Sequence, residues 1–185
     1  MQRKGGQRLL RRMEAYLDQA EILMPVGSAS WSFTEDDFAS ITQSLNRFLY
    51  ESSARCALLV DRSGQLVATV GEQPKFDPTA FATLTAADFS ANDQLAKLIG
   101  ESDFNSLFHQ GEKESMYLAD VARRVILVVL FDNRTTLGLV RLKMKLTVEE
   151  LTTLFQQVFS RPTHAQGGAP GLLAGADDEI DKLFQ

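Results

Sequence analysis

Little in this chain of 185 residues invites chemistry. It has one cysteine and two histidines, which excludes an internal disulfide and a zinc site of Cys/His spacing. It has no glycine-rich phosphate loop and no Gly-x-Ser-x-Gly elbow, so common signatures of nucleotide and ester hydrolysis are missing. No apolar run approaches the roughly 20 residues needed to span a bilayer. The opening MQRKGGQRLLRRMEAYLDQAEILM also lacks the continuous apolar stretch of a secretory signal, so a cytoplasmic protein is expected. Positive charge is short as well: a formal net charge of -5 argues against general nucleic-acid binding, which rests on clustered Lys and Arg. Cys56, in the apolar run CALLVD, reads as a small buried hydrophobe in a reducing compartment.

What is present is one core's worth of apolar residues, 44% of the chain, with appendages. The first 32 residues form a basic extension, with Arg3, Lys4, Arg8, Arg11 and Arg12. Three uses suit it: contact with a membrane surface, a solvated arm, or a start at Met13 or Met24; the latter two are preferred. Residues 33–160 carry the folded pattern. FTEDDFASITQSLNRFLYESS spaces Phe38, Ile41, Leu45, Phe48 and Leu49 as a helix capped by Thr34. RCALLVD, RSGQ and LVATVG make a hairpin. A second helix opens at Asp77 and Pro78 and ends near Gly100. NSLFHQG, ESMYLADVA and RVILVVLFD give three more strands, the last apolar throughout and hence covered on both faces. A long helix is predicted over 133–159, with a main stripe of Leu137, Val140, Met144, Val148, Leu151, Phe155 and Val158. Leu139, Leu142 and Leu146 form a second stripe that suits a second molecule. Residues 161–176, RPTHAQGGAPGLLAGA, have the composition of a flexible linker, and 177–185 form an acidic tail.

Catalysis is not expected. Asp36 with Asp37, and Glu149 with Glu150, are adjacent on helices and point different ways. His109 reads as a hydrogen-bonded sheet residue, His164 lies in the linker, and Arg123, Arg124, Arg134 and Arg141 read as structural or solvated. No catalytic residue, cofactor or metal site is assigned.

On a wheel centred on Leu84, the second helix turns Leu84, Ala91, Leu95 and Leu98 to the core. Ala86, Ser90, Asp93 and Lys97 lie opposite, with Gln94 at the border.

The stretches LVDRSGQLV, LAKLIGE, FHQGEKESMYL and above all VILVVLFDNRTTLGLVRLKMK resemble roadblock-domain proteins of the MglB type, regulators of the Ras-like GTPase MglA. The likeness runs from Thr34 to Phe159 and again over Asp177 to Phe184. It implies an α+β, roadblock/profilin-like fold of order α-β-β-α-β-β-β-α, with a five-stranded antiparallel sheet between helices. It also implies a homodimer with joined sheets, binding one MglA-like small GTPase per dimer. Such proteins are non-enzymatic activators in cell polarity and motility, concentrated at a cell pole, that reposition the GTPase's switch regions without lending an arginine. Carried over by position, the GTPase-binding residues are Ala86, Ala87, Ser90, Asp93, Gln94 and Lys97, with Phe89 on the flank towards the neighbouring subunit. Asp178, Ile180, Asp181, Leu183 and Phe184 are the docking residues of the tail. The alternative function is a roadblock scaffold dimer that recruits a complex, at the membrane if the basic arm reaches it.

Overall fold

Each element begins or ends on a local device that its own residues supply. In the computed structural model, which describes residues 33–161, helix α1 (Glu35–Ser52) opens on a capping box. The Thr34 hydroxyl accepts from the Asp37 N–H at 3.2 Å, and the Asp37 carboxylate accepts from the Thr34 N–H at 2.8 Å. Strands β1 (Cys56–Asp61) and β2 (Leu66–Gly71) meet at a turn organised by Asp61, whose Oδ1 accepts from Ser63 N–H and Gln65 N–H, both at 2.9 Å. Helix α2 (Pro78–Leu98) starts on Asp77, which accepts from the Thr79 N–H at 2.9 Å, with Pro78 in the first turn. Strands β3 (Ser106–Gln110), β4 (Ser115–Val121) and β5 (Val125–Phe131) follow, then helix α3 (Leu137–Ser160).

The last helix starts four residues later than its apolar pattern suggests. Asp132 Oδ1 accepts from the Arg134 N–H at 3.0 Å, and Thr136 accepts from the Leu139 N–H at 3.3 Å. Asp132 thus ties up a backbone amide ahead of the helix, and Thr136 caps the first turn of the helix itself.

The sheet is antiparallel throughout, in the order β2-β1-β5-β4-β3. Central β5 is covered on both faces, as its unbroken apolar run predicts. Val125, Leu127, Val129 and Phe131 meet α1 and α3, while Ile126 and Val128 meet α2. Thus α1 and α3 pack together on one face, and α2 alone serves the other. The order α-β-β-α-β-β-β-α and the α+β class stand as expected.

Charge ties the end of the sheet to the entrance of α3. Arg134 bonds Asp132 at 2.9 Å and Glu72 at 2.7 Å, and Arg55 bonds Glu72 at 2.7 Å. The Arg134 hydrogen bond holds both the Glu72 and Asp132 carboxyls below their ordinary values, against an opposing push from burial. A depressed carboxyl adds stability above its unfolded pKa, about 4, and loses it as pH falls through the folded value. Arg134→Gln should therefore cost under about 1 kcal/mol at neutral pH, since these groups are partly exposed. The gap to the parent should close in acid, read from urea midpoints at pH near 7 and near 2.

Candidate partner-binding face

Helix α2 is apolar on two sides, and the sheet takes only one of them. Buried against β1, β5 and their neighbours are Ala82, Ala86 and Phe89, with Thr85, Asn92 and Ala96 also buried on the helix. Small residues suit this side because the helix lies close to the hairpin. A Cβ placed on Gly64 would meet the Thr83 Cα at 3.0 Å and the Ala86 Cβ at 3.7 Å. Phe89 is the one large filler, and the Asn92 side-chain amide donates to the Phe104 carbonyl at 3.3 Å.

The outward side carries Leu84, Ala87, Ser90, Ala91, Gln94, Leu95, Lys97 and Leu98, all exposed, Leu84 at 70% and Leu98 at 81%. This corrects the wheel drawn from sequence. Leu84, Ala91, Leu95 and Leu98 do not enter the core, whereas Ala86, expected at the partner, is only 8% exposed and Phe89, expected on the flank, 1%. Side-chain size misled the assignment: with two apolar stripes the larger one looked like core, but close approach to a sheet already filled by Leu, Val and Ile selects alanine. Spacing alone does not separate the two stripes, since the buried 82, 86, 89, 92 and 96 and the exposed 84, 87, 91, 95 and 98 both advance in three- and four-residue steps. A continuous exposed apolar ridge of this kind marks an interaction surface.

Asp93 is half-buried and already engaged. Arg62, from the β1–β2 turn, donates to it at 2.5 Å, also bonds Asp120 of β4, and lies 5.1 Å from the Phe89 ring centre. Burial pulls the Arg62 guanidinium down, but the Asp120 and Asp93 hydrogen bonds outweigh it and leave the group raised. Arg62 thus clamps α2 to two strand turns, a role its place in turn chemistry did not suggest. Beside it a polar cleft of about 240 Å³ is lined by Lys97, Asp103 and Arg123 among others. Arg123 pairs with Asp103 there at 2.8 Å.

Of the residues assigned to a partner, Ala87, Ser90, Gln94 and Lys97 therefore share one accessible face, Asp93 borders it as an anchor, and Ala86 and Phe89 lie beneath it. The assigned tail residues Asp178, Ile180, Asp181, Leu183 and Phe184 lie outside the described residues, as do 1–32 and 162–176. His109 Nε2 stands 2.8 Å from the Asp88 carboxylate, linking edge strand β3 to α2. Arg124 stacks 4.7 Å from the Phe159 ring centre, and Glu150 joins Arg47 and Ser44 across α1 and α3. Burial pushes the Cys56 thiol up to about 11. Among the described residues no group of three or more His, Cys, Asp or Glu is placed to hold a metal, and no helix is long and apolar enough to cross a membrane.

Residues 41–131 match the Roadblock/LC7 domain. The solved structure of Myxococcus xanthus MglB is 45% identical, with 65% of this chain aligned to 98% of that one at a TM-score of 0.63. The gliding protein MglB of Thermus thermophilus is 32% identical over 71% of this chain and 99% of its own, at 0.66. An MglB solved in a tetrameric arrangement gives the same identity and coverage at 0.67. Comparison with curated proteins finds no match. Sequence likeness, strand order and helix placement agree: the chain belongs to the Roadblock/LC7 family, and its likeness within that family is to MglB.

Proposed function

We propose that this protein is a homodimeric regulator of an MglA-like small Ras-type GTPase, binding it across the outward face of α2 and accelerating its GTP hydrolysis. The observation that carries this reading is the ridge of Leu84, Ala87, Ala91, Leu95 and Leu98, exposed on a helix otherwise anchored firmly to its sheet. Two such ridges side by side in a dimer make a flat platform in which Ala87 and Ser90 allow close approach. Edge strand β3, with Phe108 exposed, supplies a free row of backbone groups for joining two sheets.

No arginine lies on the outward face of α2. Two arginines border it at the cleft beside Lys97: Arg62 is held by Asp93 and Asp120, and Arg123 pairs with Asp103, while Arg141 sits on α3, across the sheet. That arrangement favours activation by repositioning the partner's own switch regions over a donated arginine, which would need a guanidinium free to enter the nucleotide site. One GTPase per dimer follows, because a single partner spanning both ridges occupies the two-fold axis. The tail residues around Ile180 and Phe184 then serve as a second contact.

Single-turnover GTP hydrolysis by the MglA-like GTPase tests the proposal. The parent should accelerate it. Ser90→Arg should weaken the interaction by about 2 kcal/mol or more, roughly thirtyfold in half-saturating concentration. Light scattering should still give a dimer. Binding without acceleration would move the protein to the scaffold reading, and an unimpaired Ser90→Arg would remove the α2 platform.

A further inference from the structure

A second exposed apolar stripe runs along the N-terminal half of α3, on the side of the sheet opposite α2. Leu142 and Leu146 are exposed and Leu139 is half-buried. On a helix of 3.6 residues per turn the three fall within about 60° of one another. They turn away from Val140, Met144, Thr147 and Leu151, which are buried. Basic groups rim the stripe: Arg141 and Lys145, one turn apart, flank one side and Lys143 the other. Lys143 bonds Glu51 at 2.8 Å, whereas Arg141 and Lys145 have no carboxylate partner among the described residues.

A second copy of this stripe is a poor cover, since two-fold packing would set Arg141 and Lys145 against their own kind. An acidic membrane would have to attract a chain of net charge -5. Chemistry that fits both the apolar strip and its basic rim is found in the chain itself. Residues 177–184, DDEIDKLF, place Ile180, Leu183 and Phe184 at three- and four-residue steps among Asp177, Asp178, Glu179 and Asp181, against one Lys182.

Reach agrees as well. From Ser160 back to Leu146 and Leu142 is 14 and 18 residues along the helix, about 21 to 27 Å at 1.5 Å each. A Gly-rich chain as long as 161–176 has a root-mean-square span of roughly 20 to 24 Å. A tether matched to its span gives the largest effective concentration of the attached segment.

We infer that residues 177–185 dock on the α3 stripe of their own chain, Ile180, Leu183 and Phe184 against Leu139, Leu142 and Leu146, with the acidic groups facing Arg141 and Lys145. A tail held there is withheld from any other surface until displaced, which makes it a built-in competitor whose hold weakens with salt. This goes beyond the GTPase reading and stands without it, because the docking belongs to the protein alone.

Paramagnetic broadening in the full chain tests it, with a nitroxide attached through Gln185→Cys and amide signals read on nitrogen-15. Cys56 is buried with its thiol raised to about 11, so the new thiol is the one that reacts. The amides of residues 139–149 should lose most of their intensity while those of α2 keep theirs. Leu142→Asp combined with Leu146→Asp, and separately Phe184→Asp, should each restore it. Even broadening over the whole surface, or loss confined to α2, would overturn the assignment. So would loss arising when isotope-labelled chains are mixed with spin-labelled, unenriched ones, since that assigns the tail to a second copy. Broadening of α3 by acidic phospholipid vesicles together with full intensity in the spin-labelled protein would assign the stripe to a membrane instead.

Discussion

Phe89→Ala is expected to cost about 3–5 kcal/mol of folding free energy, the range for emptying a fully buried aromatic site, while Leu98→Ala should stay within about 0.5. Nine residues separate two side chains that composition alone would rank together. Phe89 is 1% exposed between α2 and the strands and Leu98 is 81% exposed. Nor can the cavity left by Phe89 collapse easily, because Arg62, lying over its ring, is fixed by Asp93 and Asp120. Urea unfolding of both variants decides the orientation of α2. Any further loss in Leu98→Ala must shrink as protein is diluted towards monomer, since an exposed side chain of this kind adds stability through contact with another molecule. A large, concentration-independent loss in Leu98→Ala beside a small one in Phe89→Ala would reinstate the wheel first drawn.

The same helix shows which parts of the fold were legible. Its ends were, because Asp77, Pro78 and Gly100 act on backbone groups within a turn of themselves and need no partner. The hairpin was legible for the same reason: Asp61 satisfies the amides of its own turn. Strand β5 declared itself by an apolar run that only a doubly covered strand can bury. Which of two apolar stripes on α2 meets the sheet is a different kind of fact. It depends on how closely Gly64 lets the helix approach, and nothing within α2 encodes that distance. Arg62 was missed likewise, since Asp93 and Asp120 lie 31 and 58 residues away in sequence and come together only in the fold. The exposed Leu142 and Leu146 were read as a second stripe from spacing alone, and the structure leaves them outward.

Gly71→Ala is expected to cost about 3 kcal/mol or more, and Gly71→Val to prevent folding. Gly71 closes β2 at φ +96°, a region that L side chains rarely adopt. Conformation is half of the cost; the other half is space. A Cβ there would stand 2.4 Å from the Arg55 carbonyl oxygen, 2.7 Å from the Leu49 Cδ1 and 2.9 Å from the Cys56 Cα. Leu49 can yield as a side chain does, but the Arg55 backbone has nowhere to go. Its N–H donates to the Leu130 carbonyl at 2.9 Å and its carbonyl accepts from the Glu72 N–H at 2.9 Å. Moving it breaks the seam between β1 and both neighbours. Gly100→Ala is the control, for Gly100 has a similar φ of +87° with nothing within 4 Å of its Cβ position. It should lose only the conformational share, about 1 kcal/mol. Urea midpoints of the two variants separate backbone strain from overlap. Equal losses would mean that the Arg55 carbonyl yields after all, and that the junction of β1, β2 and β5 is softer than its hydrogen bonds imply.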